Sequence, residues 1–286
     1  MSITLKTCAL VFIVLLLTAC PRPHAVPPPS FPPSWESLIH KGDIEQKYWR
    51  YPEAEYYYSQ AVTRAQDFGA EDARLARSLR SLSEVLSRRG NFAAAWQYGE
   101  QALGIYRHLF GAESGEVGMT EFILGSIALE HGSFGDAKQL YLQSQRHIAA
   151  AGGPEDPRLG EPMMGLANLY LISNHLGEAE NLIRQVVTLW ENSQPTDPAN
   201  LSWALRDLGL LLLRQKRLDE AEPILKRSHE IAHAGLGDNH PQAAASLSSL
   251  ATLQLDRGHP EEAERLFSHV VHMVERSAGT SHLELA

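Results

Sequence analysis

The sequence predicts an all-α solenoid of about six helix-turn-helix repeats, on three observations. Six alanines recur at a nearly constant interval, Ala54, Ala95, Ala137, Ala179, Ala221 and Ala263, with steps of 41, 42, 42, 42 and 42 residues. Each closes the same local phrase: Tyr51-Pro-Glu-Ala54, Phe92-Ala-Ala-Ala95, Phe134-Gly-Asp-Ala137, Leu176-Gly-Glu-Ala179, Leu218-Asp-Glu-Ala221 and Pro260-Glu-Glu-Ala263, read as the opening of a helix. Twelve residues before each alanine lies another small residue: Gly42, Ser83, Gly125, Ala167, Gly209 or Ala251. Small residues on two consecutive helical segments mark a place where backbones touch, since a larger side chain there costs roughly 1–3 kcal/mol by overpacking.

In chain order, residues 1–19 carry one charge, Lys6, ahead of the apolar run from Cys8 to Leu17. That is the layout of an export signal and is shorter than the about 20 apolar residues of a membrane span. Residues 20–33 start at Cys20 and hold Pro21, Pro23, Pro27, Pro28, Pro29, Pro32 and Pro33. Such a run favours an extended polyproline II spacer at ~3.1 Å per residue, in preference to a docking motif. Residues 34–279 are the array and 280–286 a short tail.

Within the array, apolar residues spaced three and four apart, such as Leu79, Leu82, Val85 and Leu86, or Leu205, Leu208, Leu211 and Leu212, give each first helix one buried stripe. First helices should stop at Gly90, Gly132 and Gly258, with Asn174 as the substitute, because these residue types take the left-handed cap conformation readily. Second helices should run to Gly69, Gly111, Gly153, Gly237 and Gly279, burying Tyr58/Ala61, Tyr141/Ser144, Leu225/Ser228 and Phe267/Val270. In the first copy Lys41 and Glu45 replace apolar residues, as a polar terminal cap would. After the sixth pair too little chain remains for another stable helix. Val270, Val271 and Val274 are therefore expected to dock a partner or a second copy of the chain.

The small positions and the period resemble the tetratricopeptide repeat over about residues 35–279. The 42-residue step and the phrase Gly237-Asp-Asn-His240-Pro241, echoed at Gly153-Pro-Glu-Asp-Pro157 and Gly279-Thr-Ser-His282, resemble the kinesin-light-chain variety. The resemblance implies a right-handed superhelix that binds protein or peptide with its first helices along the concave face. Leu17-Thr18-Ala19-Cys20 resembles the bacterial lipoprotein processing motif, which implies lipidation of the Cys20 thiol and a membrane anchor.

By repeat frame the groove candidates are Arg77, Arg80 and Glu84 in the second copy and Met119, Phe122 and Leu129 in the third. Met164, Asn168 and Leu171 follow in the fourth copy, and Trp203, Arg206, Leu210 and Leu213 in the fifth. The narrower set is Arg77, Arg80, Phe122, Met164, Asn168, Trp203 and Arg206. Apolar area would bury peptide side chains, arginine would hold a carboxylate and asparagine would pair with peptide backbone. The several Lys and Asn positions of a two-carboxylate clamp are not filled together.

The competing reading is enzymatic. His229-Glu230-Ile231-Ala232-His233 matches the helical pattern of zinc peptidases, two histidines at i and i+4 with a glutamate as base. The repeat frame puts His229 in a slot held elsewhere by Val62, Leu103, Gln145, Val187 and Val271, between packed helices, and no third ligand is indicated. A formal charge of −9 argues against nucleic-acid binding as the main activity. The only cysteines, Cys8 and Cys20, precede the array, so it contains no disulfide and no cysteine-based metal site. The expected protein is a non-enzymatic adaptor without metal or cofactor. It would be lipid-anchored in a bacterial envelope, on the outer membrane facing the periplasm.

Overall fold

A computed structural model describes residues 32–279. The stretch 1–19 expected to be an export signal, Cys20, most of the proline run and the tail 280–286 lie outside the described residues. From Trp35 onward the chain forms one compact unit of α-helices.

Six helix pairs follow in order. They are α1 (Trp35–Lys47) with α2 (Tyr51–Ala65), α3 (Ala73–Arg88) with α4 (Phe92–Phe110), and α5 (Gly115–Glu130) with α6 (Phe134–Gly152). Then come α7 (Gly160–Ile172) with α8 (Leu176–Asn192), α9 (Pro198–Arg214) with α10 (Leu218–Leu236), and α11 (Pro241–Asp256) with α12 (Pro260–Gly279). The six phrases open the six second helices, and all six repeat alanines are 0% exposed. The result is a right-handed superhelical solenoid.

What holds each pair together is a size match between residues sixteen apart. A Cβ on Gly42 would overlap the Tyr58 ring, one on Gly209 would overlap Leu225, and one on Gly125 would stand 2.8 Å from Tyr141. In the second repeat the roles reverse: Ser83 occupies the small slot and Gly99 the opposite one, with a virtual Cβ 3.0 Å from Ser83 Oγ. Tyr141 is held from both sides, because Gly165 of the next repeat also admits its ring. Half-buried side chains join the cores of successive repeats, Phe122 and Leu140 on one side of the middle repeats and Leu182 on the other.

Both ends of the helices follow the period. The turn inside each pair passes through a positive φ at Trp49, Gly90, Gly132, Asn174, Lys216 and Gly258, between 59° and 85°. Glycine and asparagine were legible there; Trp49 and Lys216 take the same conformation because the packed helices on either side impose it. Before the later first helices sits a capping side chain. Asp72, Asp156 and Asp197 each accept from the backbone NH two residues on, at 2.8, 2.9 and 2.8 Å. His240 Nδ1 accepts in the same way from Gln242 NH at 3.1 Å.

Two expectations need correction. Glu45 is not part of a polar outer cap: it is 1% exposed and its Oε2 takes a 3.1 Å hydrogen bond from Arg50. The first pair turns this helix face inward, and an arginine from the following turn makes the burial tolerable. Lys41 instead lies over the Tyr57 ring at 5.6 Å. Phe267 and Val270 are only half-buried, because among the described residues α12 packs mainly on α11 alone.

Candidate functional site: the inner wall of the solenoid

First helices of neighbouring repeats touch, α3 against α5, α5 against α7 and α9 against α11, while successive second helices make little or no contact. The closer-packed row is the concave side. The first helices therefore form an inner wall, as their repeat frame implies.

The structure sorts the groove candidates. Phe122 and Asn168 are half-buried, with Phe122 against Tyr141 at 6.0 Å between ring centres. Trp203 is half-buried and packs on Trp190 at 6.1 Å. Arg77 is exposed but reaches Asp43 at 3.0 Å. Arg206 donates to Asp207 at 3.0 Å and to Gln242 at 3.4 Å, so its charge is already met. Arg80 lies 5.4 Å from the Tyr106 ring. Met164 is corrected: it is 0% exposed and belongs to the core. Helix α7 sits close to its neighbours, with Gly160 beneath the Trp190 indole and Gly165 beneath Tyr141, and that closeness closes over Met164.

Residues that the reading passed over complete the wall. Glu161, near the start of α7, occupies the frame position of Arg77, Met119 and Trp203, a signal the sequence did contain. Burial pushes its carboxyl up to about 7, and Glu84, Arg80, Asp197 and Arg88 all act on its charge. Burial likewise pushes the Asp207 carboxyl up, against the pull of Arg206. Both acids keep partial access to solvent although protein surrounds them, as expected for side chains on the wall of a channel.

The channel is closed at one point by residues 192 apart in sequence. The Tyr48 ring, just past α1, meets the His240 ring at 5.5 Å between centres. His240 is 4% exposed, and burial with the nearby Lys47 lowers its imidazole to about 4. Neutrality suits its cap role, which needs a lone pair on Nδ1. No periodicity could have disclosed this contact.

The His-Glu-x-x-His stretch is divided between two environments. His229 is half-buried with Nδ1 3.1 Å from Ser246 Oγ, and His233 is exposed with Nδ1 2.6 Å from Asp238 Oδ1. Their ring centres are 6.0 Å apart. Among the described residues no group of three or more His, Cys, Asp or Glu side chains is arranged to hold a metal ion.

Two features lie off the inner wall. On the outer side a cleft between α2 and α4 is floored by Leu75, Leu79 and Leu82 and flanked by Val62, Tyr98 and Ile105. At the last edge, Val271 and Val274 are each 42% exposed on α12.

Fold and wall together define a class: a helical-repeat scaffold whose first helices present a mixed charged and apolar concave surface. The tetratricopeptide-repeat profile matches residues 36–108 and 200–276, and the chain belongs to that family. Among curated relatives, the secreted RxLR effector protein RXLR-C07 of Plasmopara halstedii is 28% identical over 156 residues, covering 47% of this chain and 48% of that one. The mitochondrial tetratricopeptide repeat protein 19 of Rattus norvegicus is 25% identical over 157 residues, covering 49% and 43%. The chain thus spans about half the length of the curated relatives it matches. Among solved structures, BtubC (BKLC) from P. vanneervenii superposes with a TM-score of 0.55 at 24% identity, over 70% of this chain and 80% of that one. The Rap conjugation gene regulator of plasmid pLS20, in complex with the Phr* peptide, gives 0.63 at 13% identity, over 87% and 76%. These structural likenesses establish the fold alone.

Proposed function

We propose that the chain is a non-enzymatic scaffold that binds an extended segment of another protein along its inner wall. The observation that carries this is the row of partly accessible side chains, Arg80, Phe122, Asn168 and Trp203, on first helices that face one concavity. A peptide-bound neighbour of the same fold supports the reading. The test is a photo-crosslinking residue placed at Asn168 or, as outer-face control, at the exposed Gln143. Adducts from Asn168 alone support the inner wall; equal labelling from Gln143 overturns it.

The anchor belongs to the same proposal. Leu17-Thr18-Ala19-Cys20 is read as a lipoprotein signal, followed by a proline spacer, and the protein as an adaptor on the periplasmic face of a bacterial outer membrane. There it would help assemble a pilus or secretion complex or hold cell-wall enzymes. Cys20→Ser should move the protein from the membrane to the soluble fraction; retention on the membrane removes the lipid anchor from the account.

Self-association through the last edge is a second reading, favoured by the exposed Val271 and Val274. Sedimentation across a concentration series should show a dimer that Val271→Ser with Val274→Ser abolishes. A wild-type chain that stays monomeric throughout rules it out.

A further inference from the structure

Val270 and Val274 lack an enclosure that every earlier repeat gives to the same positions. The counterparts of Val270, namely Ala61, Ala102, Ser144, Val186 and Ser228, are all fully buried. Those of Val274, namely Ala65, Tyr106, Ile148, Trp190 and Ala232, are at most 4% exposed, against 42% for Val274 itself. In the earlier repeats each second helix packs on the first helix of the next pair, and that helix supplies the cover. His229 Nδ1, in frame with Val271, lies 3.1 Å from Ser246 Oγ of α11. Val62, in the same frame, lines one cleft with Leu75 of α3. Among the described residues α12 has no such neighbour, so its open face is a seat of the kind that first helices fill.

The linkers show how such a helix begins. In four of the five, a glycine of positive φ is followed three residues later by a capping side chain: Gly69 with Asp72, Gly111 with Ser114, Gly153 with Asp156 and Gly237 with His240. Three residues past each cap comes a buried apolar residue, Leu75, Val117, Leu159 or Ala243. Directly after it comes a buried small one, Ala76, Gly118, Gly160 or Ala244. Residues 279–286 repeat the pattern at the same steps, with Gly279, His282, Leu285 and Ala286. A single helical turn has no stability in isolation, but packing on a preformed apolar face supplies what propensity does not. The first helix of a second copy fits this seat poorly. Lys41 of α1 stands where later first helices carry Leu82, Leu124, Leu166, Leu208 and Leu250, and seating it would bury its ammonium group.

We infer that residues 280–286 are the opening turn of a seventh first helix and dock on the open face of α12, with His282 as the cap and Leu285 packed against Val270 and Val274. The occupant of the last edge is thus the chain's own tail. The inference does not depend on the inner wall, and it competes with self-association through this edge, because one surface cannot serve both at once.

The test uses the full chain with Leu285→p-benzoylphenylalanine, a photo-crosslinking side chain. Irradiation at low protein concentration should give adducts within one chain, mapped by mass spectrometry to residues 267–275 of α12. A covalent dimer as the main product overturns the inference and gives the edge to a second copy. Adducts away from α12, or none, overturn it as well. A second measurement compares the native side chain with Leu285→Asp by hydrogen exchange. Amides of residues 270–277 should exchange about tenfold faster or more in the variant, while those of α9 and α10 stay unchanged and circular dichroism shows the helices intact. Equal exchange in the two proteins overturns the docked tail. Crosslinks from Asn168 on the inner wall should be the same in both, so failure of the tail leaves the scaffold reading standing.

Discussion

At the first end of the array polar groups are buried and individually matched. Arg50 meets the buried Glu45 at 3.1 Å, Tyr58 OH lies 2.8 Å from Asp43 and from Gln46, and Trp35 Nε1 donates to Ser78 at 2.8 Å. At the last end α12 buries Ala263 and Met273 and leaves Val271 and Val274 each 42% exposed. The first end holds its shape through specific locks, so one atom out of place is costly. The last end is held by apolar area on one side only, so its outer side chains can change with little consequence for the fold.

The largest expected effect removes a lock. Arg50→Met takes an ion-pair partner from buried Glu45, a kind of change that costs up to about 3–5 kcal/mol, and urea unfolding should register it. The matched change at the other end, Arg276→Met, removes an exposed contact to Asp238 at 3.7 Å and should shift stability by under ~0.5 kcal/mol. Equal effects would erase the contrast between the ends.

Next is the small-residue contact. Gly42→Ala drives a methyl into the Tyr58 ring and should cost about 1–3 kcal/mol. The equivalent residue at the last end, Ala251, already carries a methyl and stands sixteen residues before the half-buried Phe267, so Ala251→Gly should cost only about 1 kcal/mol, the helix-propensity difference. Thermal midpoints of the two variants measure the ratio.

The clasp between Tyr48 and His240 couples the first end to the linker before the last pair, and its strength should follow pH. The His240 imidazole lies at about 4 in the folded chain against an ordinary 6.5. Below pH 6.5 the unfolded chain gains a proton that the folded chain refuses. The contribution is therefore complete above pH 6.5 and is lost as pH falls through the interval toward about 4. His240→Asn keeps a capping side chain without the titration, and its stability should fall less between pH 7 and pH 4.5. A parallel fall in both proteins would mean that other groups govern the acid response.

The smallest effect is a gain. Lys216 and Trp49 hold φ of 63° and 59°, a conformation that favours glycine. Lys216→Gly and Trp49→Gly should each stabilise by about 0.5–1 kcal/mol. A similar gain from both, measured by urea unfolding, would show that the first and fifth pairs make the same backbone demand at their turns.

The candidate site was legible only in part. The frame that singled out Arg80, Phe122, Asn168 and Trp203 also pointed to Met164, which is enclosed, and to Arg206, which Asp207 already engages. A period fixes the face of a helix, not how deeply that helix sits; Gly160 and Gly165 set the depth of α7 through rings on neighbouring helices. The polar-cap reading of Glu45 failed for a related reason: residue type suggests solvent, whereas a partner five residues along the chain decides burial.

The sequence by itself determined the repeat, the helix pairs, the small contacts and most of the turns, because these depend on residues at most one repeat apart and recur in phase. The tertiary structure alone decided which inner-wall candidates are enclosed or already ion-paired, and that Tyr48 meets His240. Those outcomes depend on superhelical curvature, which small rotations at each repeat interface build up until distant repeats face one another.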